Sequence, residues 1–281
     1  INLTRLFNGK IIVSKIYGPD GSELKSYFGN LEDEKTAIIE SAEGAGIEKI
    51  VVGKQPLTVL SSFGVGQQIS QALDLGVEKI IVGLGGTCTI DGGLGMLTAL
   101  GVKFYAKTHE LIDPFNFQFE MIDKIDLSQI DKRLEKIEIV LASDVDNVLL
   151  GTSGAVHTFG QQKGLLTHQL ASYDKGLRWY ANKLSIATNT NNIEKKHTGA
   201  AGGIGFALMC VAKCQWVNGH SLFLENIEVI EAIKNCDYIV TGEGKFDTQS
   251  LNGKLISGVL KLANKYNKPI IIILVCFSYS T

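Results

Sequence analysis

The stretch Ile80-Ile81-Val82-Gly83-Leu84-Gly85-Gly86-Thr87-Cys88-Thr89-Ile90-Asp91-Gly92-Gly93 constrains the fold of this chain more than any other. It starts as a short apolar, β-branched run and ends in a turn of glycines, hydroxyl and thiol side chains and one carboxylate. Leu94, Met96, Leu97 and Leu100 follow at helical spacing. That order reads as buried strand, glycine-rich loop, helix. Such a loop brings backbone N–H groups and a helix N-terminus to one place, which suits an anion such as phosphate. A tight strand-to-helix turn without a ligand is the plainer explanation, and one glycine cluster alone does not decide between them.

Similar units recur along the chain. Lys10–Tyr17, Glu23–Phe28 and Lys35–Glu40 read as strands of a small meander, with Gly18-Pro19-Asp20-Gly21 as a turn. Ser41–Ile47 reads as a short helix and Ser61–Leu75 as an amphipathic one. Ile137–Ala142 is a second buried strand, running into Ser143-Asp144-Val145-Asp146-Asn147, and Leu165–Lys183 is helical. His197–Phe206 is a second glycine-rich turn, feeding a buried helix expected to hold both Cys210 and Cys214. Asp237–Val240 is a third strand, ending in the loop Thr241–Asp247. Leu255–Lys265 is a helix and Pro269–Val275 the last strand. Apolar strands each followed by a polar loop and a helix predict an α/β protein with a mainly parallel sheet. Ligands of such sheets sit beyond the carboxyl ends of the strands, so the loops after Val82, Ala142 and Val240 are expected to converge on one crevice.

The polar residues of those loops carry the chemistry. Asp144 and Asp146 are paired hard carboxylates at a strand end, a pattern that holds Mg²⁺ together with waters and substrate phosphates; an Asp-rich turn is the alternative. Glu243 and Asp247 bracket Gly244 and Lys245. Lys254 and Lys163 both sit in glycine-flanked positions near helix starts, where the dipole disfavours a cation unless an anion is present. Asp91 lies between the glycine cluster and its helix, with an N-cap as the structural alternative. Carboxylates, lysines and bare-backbone turns are the parts that phosphoryl transfer needs. The Walker and protein-kinase motifs are both absent.

Composition narrows the partners. A net charge of −2 over 281 residues leaves no basic excess for nucleic acid. No apolar run reaches bilayer length; the longest, Pro269–Phe277, is strand-sized. The five cysteines are odd in number and not spaced as a metal site, which fits a reducing cytoplasm.

Five blocks resemble, in order, the bacterial glycerate kinase family. They are Gly83–Met96, against a signature Gly-x-Gly-Gly-Ser-Ala-Thr-Asn-Asp-Gly-Gly-x-Gly; Ala142–Asn147; Phe159-Gly160-Gln161-Gln162-Lys163-Gly164; Gly199–Phe206; and Thr241–Asp247 with Gly253-Lys254. The resemblance implies ATP-dependent phosphorylation of D-glycerate, favouring the 2-hydroxyl, with Mg²⁺. It implies two lobes, one flavodoxin- or Rossmann-like and one α/β lobe inserted in it, with the active site in the cleft between. Drawn on this chain, residues 1–79 plus 101–190 form the inserted lobe and 80–100 plus 191–281 the other. Asp91, Lys163, Lys254 and Asp247 become catalytic candidates. Asp144, Asp146 and Glu243 become metal candidates. Gly85, Gly86, Thr87, Gly92, Gly93, Gly202, Gly203, Gly242 and Gly244 become nucleotide-binding candidates. The expected partner is a small organic acid, with a homodimer left open and neither nucleic acid nor membrane involved.

The chain departs from the family where Thr87-Cys88-Thr89-Ile90 replaces Ser-Ala-Thr-Asn, Gln161 a proline, and Lys196-His197-Thr198 a Pro-Gly-Ala. Two opening loops of the family, Asp-Ser-Phe-Lys-Gly-Ser and Ala-Asp-Gly-Gly-Glu-Gly-Thr, are not present, so the unit is expected to be incomplete at both ends. A divalent-metal phosphohydrolase and a non-catalytic nucleotide-binding module are the competing functional readings.

Overall fold

Two turns, Gly18-Pro19-Asp20-Gly21 and the acidic Leu31-Glu32-Asp33-Glu34-Lys35, make the first strands a meander. After helix α1 (Asn2–Leu6), β1 (Lys10–Tyr17) pairs antiparallel with β2 (Glu23–Asn30), and β2 with β3 (Thr36–Glu40). Asp20 closes the first turn, accepting from the Ser22 N–H at 3.1 Å and hydroxyl at 2.6 Å. β3 then changes partner type. Helices α2 (Ser41–Ala45) and α3 (Phe63–Asp74) lead into β4 (Lys79–Gly83), which lies parallel to β3. The meander is therefore the antiparallel wing of the main sheet and not a separate element. The computed structural model describes residues 2–246 and 255–277. The chain divides into two compact units, Ile1–Trp216 and Val217–Thr281.

In the first unit, helix α4 (Leu94–Ala99) follows the glycine loop. β5 (Lys103–Ala106) and β6 (Ile122–Asp126) then form a small antiparallel pair, and β7 (Glu138–Ala142) returns to lie parallel beside β4. Helices α5 (Ala155–Phe159), α6 (Leu170–Thr188) and α7 (Ile204–Val211) precede β8 (Lys213–Val217), and the sheet order is β1-β2-β3-β4-β7-β8. The parallel centre is buried on both faces, as its β-branched sequence requires. Ile39, Ile80, Val82, Ile139 and Leu141 on one face have no exposed surface, and Ile38, Ile81 and Val140 on the other are at most 8% exposed; each contributes roughly 1.5–3 kcal/mol by leaving water.

Two boundaries differ from the sequence reading. Helix α6 begins at Leu170, after a single turn at Thr167–Gln169 in which the Gln169 side chain accepts the Leu166 N–H at 2.9 Å. It runs on to Asn189, whose left-handed backbone (φ 52°) ends it. Helix α7 stops at Val211 because Ala212 is extended, so Cys210 is helical but Cys214 belongs to β8.

The second unit contains α8 (Gly219–Leu224), α9 (Ile227–Asn235), β9 (Ile239–Phe246), α10 (Leu255–Lys265) and β10 (Ile270–Phe277). β9 and β10 pair in parallel around α10, a β-α-β arrangement. β9 does not stop at Val240. It continues through Gly242, Glu243 and Gly244 because β10 supplies partners along its whole length, with Ile273 opposite Gly242 and Leu274 opposite Glu243. Those residues are strand, not loop. Among the described residues no helix is long and apolar enough to cross a membrane.

Candidate active site

Adjacent parallel strands put their following loops at the same sheet edge. The loops after β4 and β7 meet there and help to line a pocket of about 280 Å³, with Gly85, Gly86 and Thr87 from the first loop and Val145 from the second; Ile47, Leu84, Phe159, Gln162, Lys163 and Ala201 also line it. The glycine loop is tied back to the segment after α2: Ile47 donates to the Gly86 carbonyl and Cys88 to that of Ala45, both at 2.8 Å. Ser41 Oγ spans the Gly85 N–H and C=O at 3.2 Å each. A Cβ on Gly85 would meet nothing within 4 Å, so this glycine borders open space.

Lys163 is the unusual group of the pocket. Its residue is 5% exposed, and its ammonium donates to Thr87 Oγ1 at 3.1 Å and to the Thr89 carbonyl at 2.9 Å. Among the described residues no carboxylate pairs with it within salt-bridge distance. Burial pulls its pKa from 10.5 down to about 8, against a small upward pull from Cys88 and Asp91. Buried charges are ordinarily paired. An ammonium with three donors and two neutral acceptors is therefore suited to receive an anion. Burial pushes the neighbouring Cys88 thiol up to about 12, so it is no nucleophile.

Asp91 is placed differently. It is wholly buried, and its carboxylate accepts from the Ser62 N–H (2.9 Å) and hydroxyl (2.7 Å), the Gly93 N–H (3.0 Å) and the Gly95 N–H (3.1 Å). Ser62 Oγ in turn accepts the Met96 N–H at 2.9 Å. The carboxylate thus joins the N-terminal ends of α3 and α4 in the interior. Burial pushes its pKa up, with the bonds from Ser62, Gly95 and Gly93 opposing.

Gly92, Gly93, Gly202 and Gly203 are likewise interior. The two glycine-rich loops cross at backbone contact, where the Gly92 N–H donates to the Gly202 carbonyl at 3.0 Å. Gly202 has φ 69°, and a Cβ there would overlap the Thr89 carbonyl oxygen. Tyr173 and Tyr180 of α6 reach the same loop, donating to the carbonyls of Ile90 (3.0 Å) and Gly92 (3.3 Å). Sequence reasoning missed both tyrosines and Ser62; the seven-residue spacing of the tyrosines, which places them on one helix face, was the available signal.

Asp144 and Asp146 are exposed on the loop after β7, either side of Val145. Asp146 lies 3.4 Å from both Lys196 Nζ and His197 Nδ1. Among the described residues no three His, Cys, Asp or Glu side chains are grouped so as to hold a metal ion by themselves. Mg²⁺ does not require one, since one or two carboxylates with waters and phosphate oxygens suffice. The hard oxygen donors of this loop fit that requirement. Gly242, Glu243 and Gly244 lie on β9 of the other unit, and Asp247 and Lys254 fall outside the described residues.

The fold and pocket together define an α/β protein with an anion-receptive cavity at the C-terminal edge of parallel strands. Residues 2–279 match the model of the glycerate kinase family, and the chain belongs to that family. It is 38% identical to a glycerate kinase of Haemophilus influenzae over 268 residues, covering 95% of this chain and 71% of that protein. It is 37% identical to the glycerate 2-kinase of Escherichia coli, covering 91% of this chain and 67% of that one. A crystal structure of a candidate glycerate kinase 2 from Salmonella typhimurium superposes with a TM-score of 0.84 at 34% identity, covering 97% of this chain and 73% of that chain.

Proposed function

We propose that this protein transfers the γ-phosphoryl group of ATP to a hydroxyl of D-glycerate, with the 2-hydroxyl favoured. The observation that carries the reading is the buried Lys163 ammonium, unpaired with any described carboxylate, on the wall of a pocket bordered by Gly85 and Gly86. Both substrates are anions, and family membership supplies the reaction class.

In this reading Lys163 binds an anionic oxygen, a glycerate carboxylate or a transferring phosphate, inside a water-poor site where charge stabilisation is strong. Thr87 and the Thr89 carbonyl orient the ammonium. Asp91 acts by position: it anchors the glycine loop so that Gly85, Gly86 and Thr87 hold their places. Asp144 and Asp146 take the metal side. Glu243, Asp247 and Lys254 are candidates on the family likeness alone. Bound Mg²⁺ would neutralise phosphate charge in the transition state.

The test is ADP release from the purified protein with ATP and Mg²⁺, with and without D-glycerate. ADP formation that requires D-glycerate supports the kinase. Nucleotide hydrolysis at an equal rate without it contradicts the reading and favours a phosphohydrolase.

A further inference from the structure

The loop that carries Asp144 and Asp146 is held from outside by Lys196, His197 and Gly199, and His197 alone bonds it through both main chain and ring. The His197 main-chain N–H donates to the Asp146 carbonyl at 3.3 Å, and its ring Nδ1 lies 2.9 Å from the Val145 carbonyl oxygen. A carbonyl can only accept, so Nδ1 carries the proton and donates. The ring stacks on Trp216, with centroids 5.0 Å apart and planes 29° from parallel. Trp216 is itself fixed: its indole N–H reaches Met209 Sδ at 3.2 Å, and a Cβ on Gly205 would stand 2.6 Å from Trp216 Cη2. His197 also has φ 69°, a left-handed conformation that glycine adopts freely and a residue with a side chain does not.

A histidine is thus kept where its backbone is strained, and its ring hydrogen bond goes to the one residue of the 143–147 loop that lines the pocket. We propose that His197 is a positioning residue: it fixes the Val145 carbonyl, and through it sets the two flanking carboxylates against the pocket. Its catalytic consequence rests on the kinase reading; its control of the loop does not. Among the described residues the ring's polar and stacking contacts are with Val145, Asp146 and Trp216. The carboxylates flanking Val145 are those the reading gives to the metal, so the effect falls on the metal and phosphate side more than on glycerate.

Two variants separate positioning from general support. Glycine at 197 accepts the backbone angle and keeps the N–H bond to Asp146, but loses the ring. Asparagine tolerates the same angle and offers an amide N–H toward Val145. Hydrogen–deuterium exchange of peptides covering residues 143–150 is measured on wild type, H197G and H197N, together with melting temperature, kcat and separate KM values. For H197G the expected results are faster exchange confined to 143–150, an unchanged melting temperature, and a KM for MgATP raised about tenfold with that for D-glycerate within about twofold. H197N recovers most of each change. Wild-type exchange and MgATP KM in H197G overturn the proposal, as does a molecule-wide rise in exchange that H197N does not reverse. A wild type that phosphorylates no glycerate defeats the kinase reading, while the local exchange still decides the role of His197.

Discussion

Gly202 and Thr89 are in backbone contact: the positive φ of Gly202 brings it so close to the Thr89 carbonyl that no Cβ fits between them. The same carbonyl accepts a hydrogen bond from Lys163 at 2.9 Å. The second glycine-rich loop is therefore a brace behind the first, pressing on the segment that orients the buried ammonium. Some glycines thus serve the chain crossing, whereas others, such as Gly85, border open space.

Replacing Gly202 with alanine meets both a steric overlap and an unfavourable φ, so a loss above roughly 3 kcal/mol is expected. Replacing Gly85 meets neither. G85A is expected to melt within a few degrees of wild type yet raise a substrate KM, because the added methyl enters the pocket. Thermal melts and steady-state kinetics on the pair check this; equal stability of both variants contradicts the crossing.

Asp91 is expected to matter for folding before chemistry. D91N turns an acceptor-only carboxylate into an amide among four donors, a buried mismatch of roughly 2–4 kcal/mol. The melting temperature should fall clearly while both KM values stay within about threefold. A collapse of kcat at unchanged stability would instead make Asp91 a participant in the reaction.

K163M keeps the volume of the side chain and removes the charge. Because burial already disfavours that charge, the variant is expected to melt no lower than about wild type while losing at least ~100-fold in kcat/KM. Melting and kinetics on one preparation decide it. Comparable loss is expected for D144N, read through the Mg²⁺ dependence of the rate.

The pH profile follows from the same lysine. Its pKa is lowered to about 8 in the folded protein from 10.5, so the ammonium is present below pH 8 and lost above it. The kcat/KM for D-glycerate should fall as pH rises through about 8, in the free-enzyme limb of the profile. The stability effect has the opposite sense: between pH 8 and 10.5 the unfolded chain holds the extra proton, so this group makes stability rise with pH there. A flat kcat/KM up to pH 10 would remove the ammonium from substrate binding.

Much of the fold was legible because β-branched runs such as Ile80–Val82 and Ile137–Leu141 can be satisfied only as buried strands, and α10 shows its apolar stripe from Leu255 to Lys265. The β9 boundary was not, because Gly242 and Gly244 look like a loop until β10 supplies their pairing. The site was legible as a set of loops but not as a set of roles. A glycine needed for ligand approach and one needed for a chain crossing both lack a Cβ for the same steric reason, so Gly85 and Gly202 read alike. Lys163 stood out by its glycine neighbours, whereas what distinguishes it is burial without a carboxylate partner among the described residues, a long-range property. Ser62, Tyr173, Tyr180 and His197 act through partners between 29 and 88 residues away, which local spacing does not reveal.

The central claim is phosphoryl transfer to glycerate, and phosphorus NMR of a reaction containing the full protein, ATP, Mg²⁺ and D-glycerate tests it most directly. The account requires ADP and a phosphate-ester signal split by the single C2 proton of 2-phosphoglycerate, growing together. An inorganic phosphate signal growing in place of any ester, at a rate indifferent to D-glycerate, would contradict it.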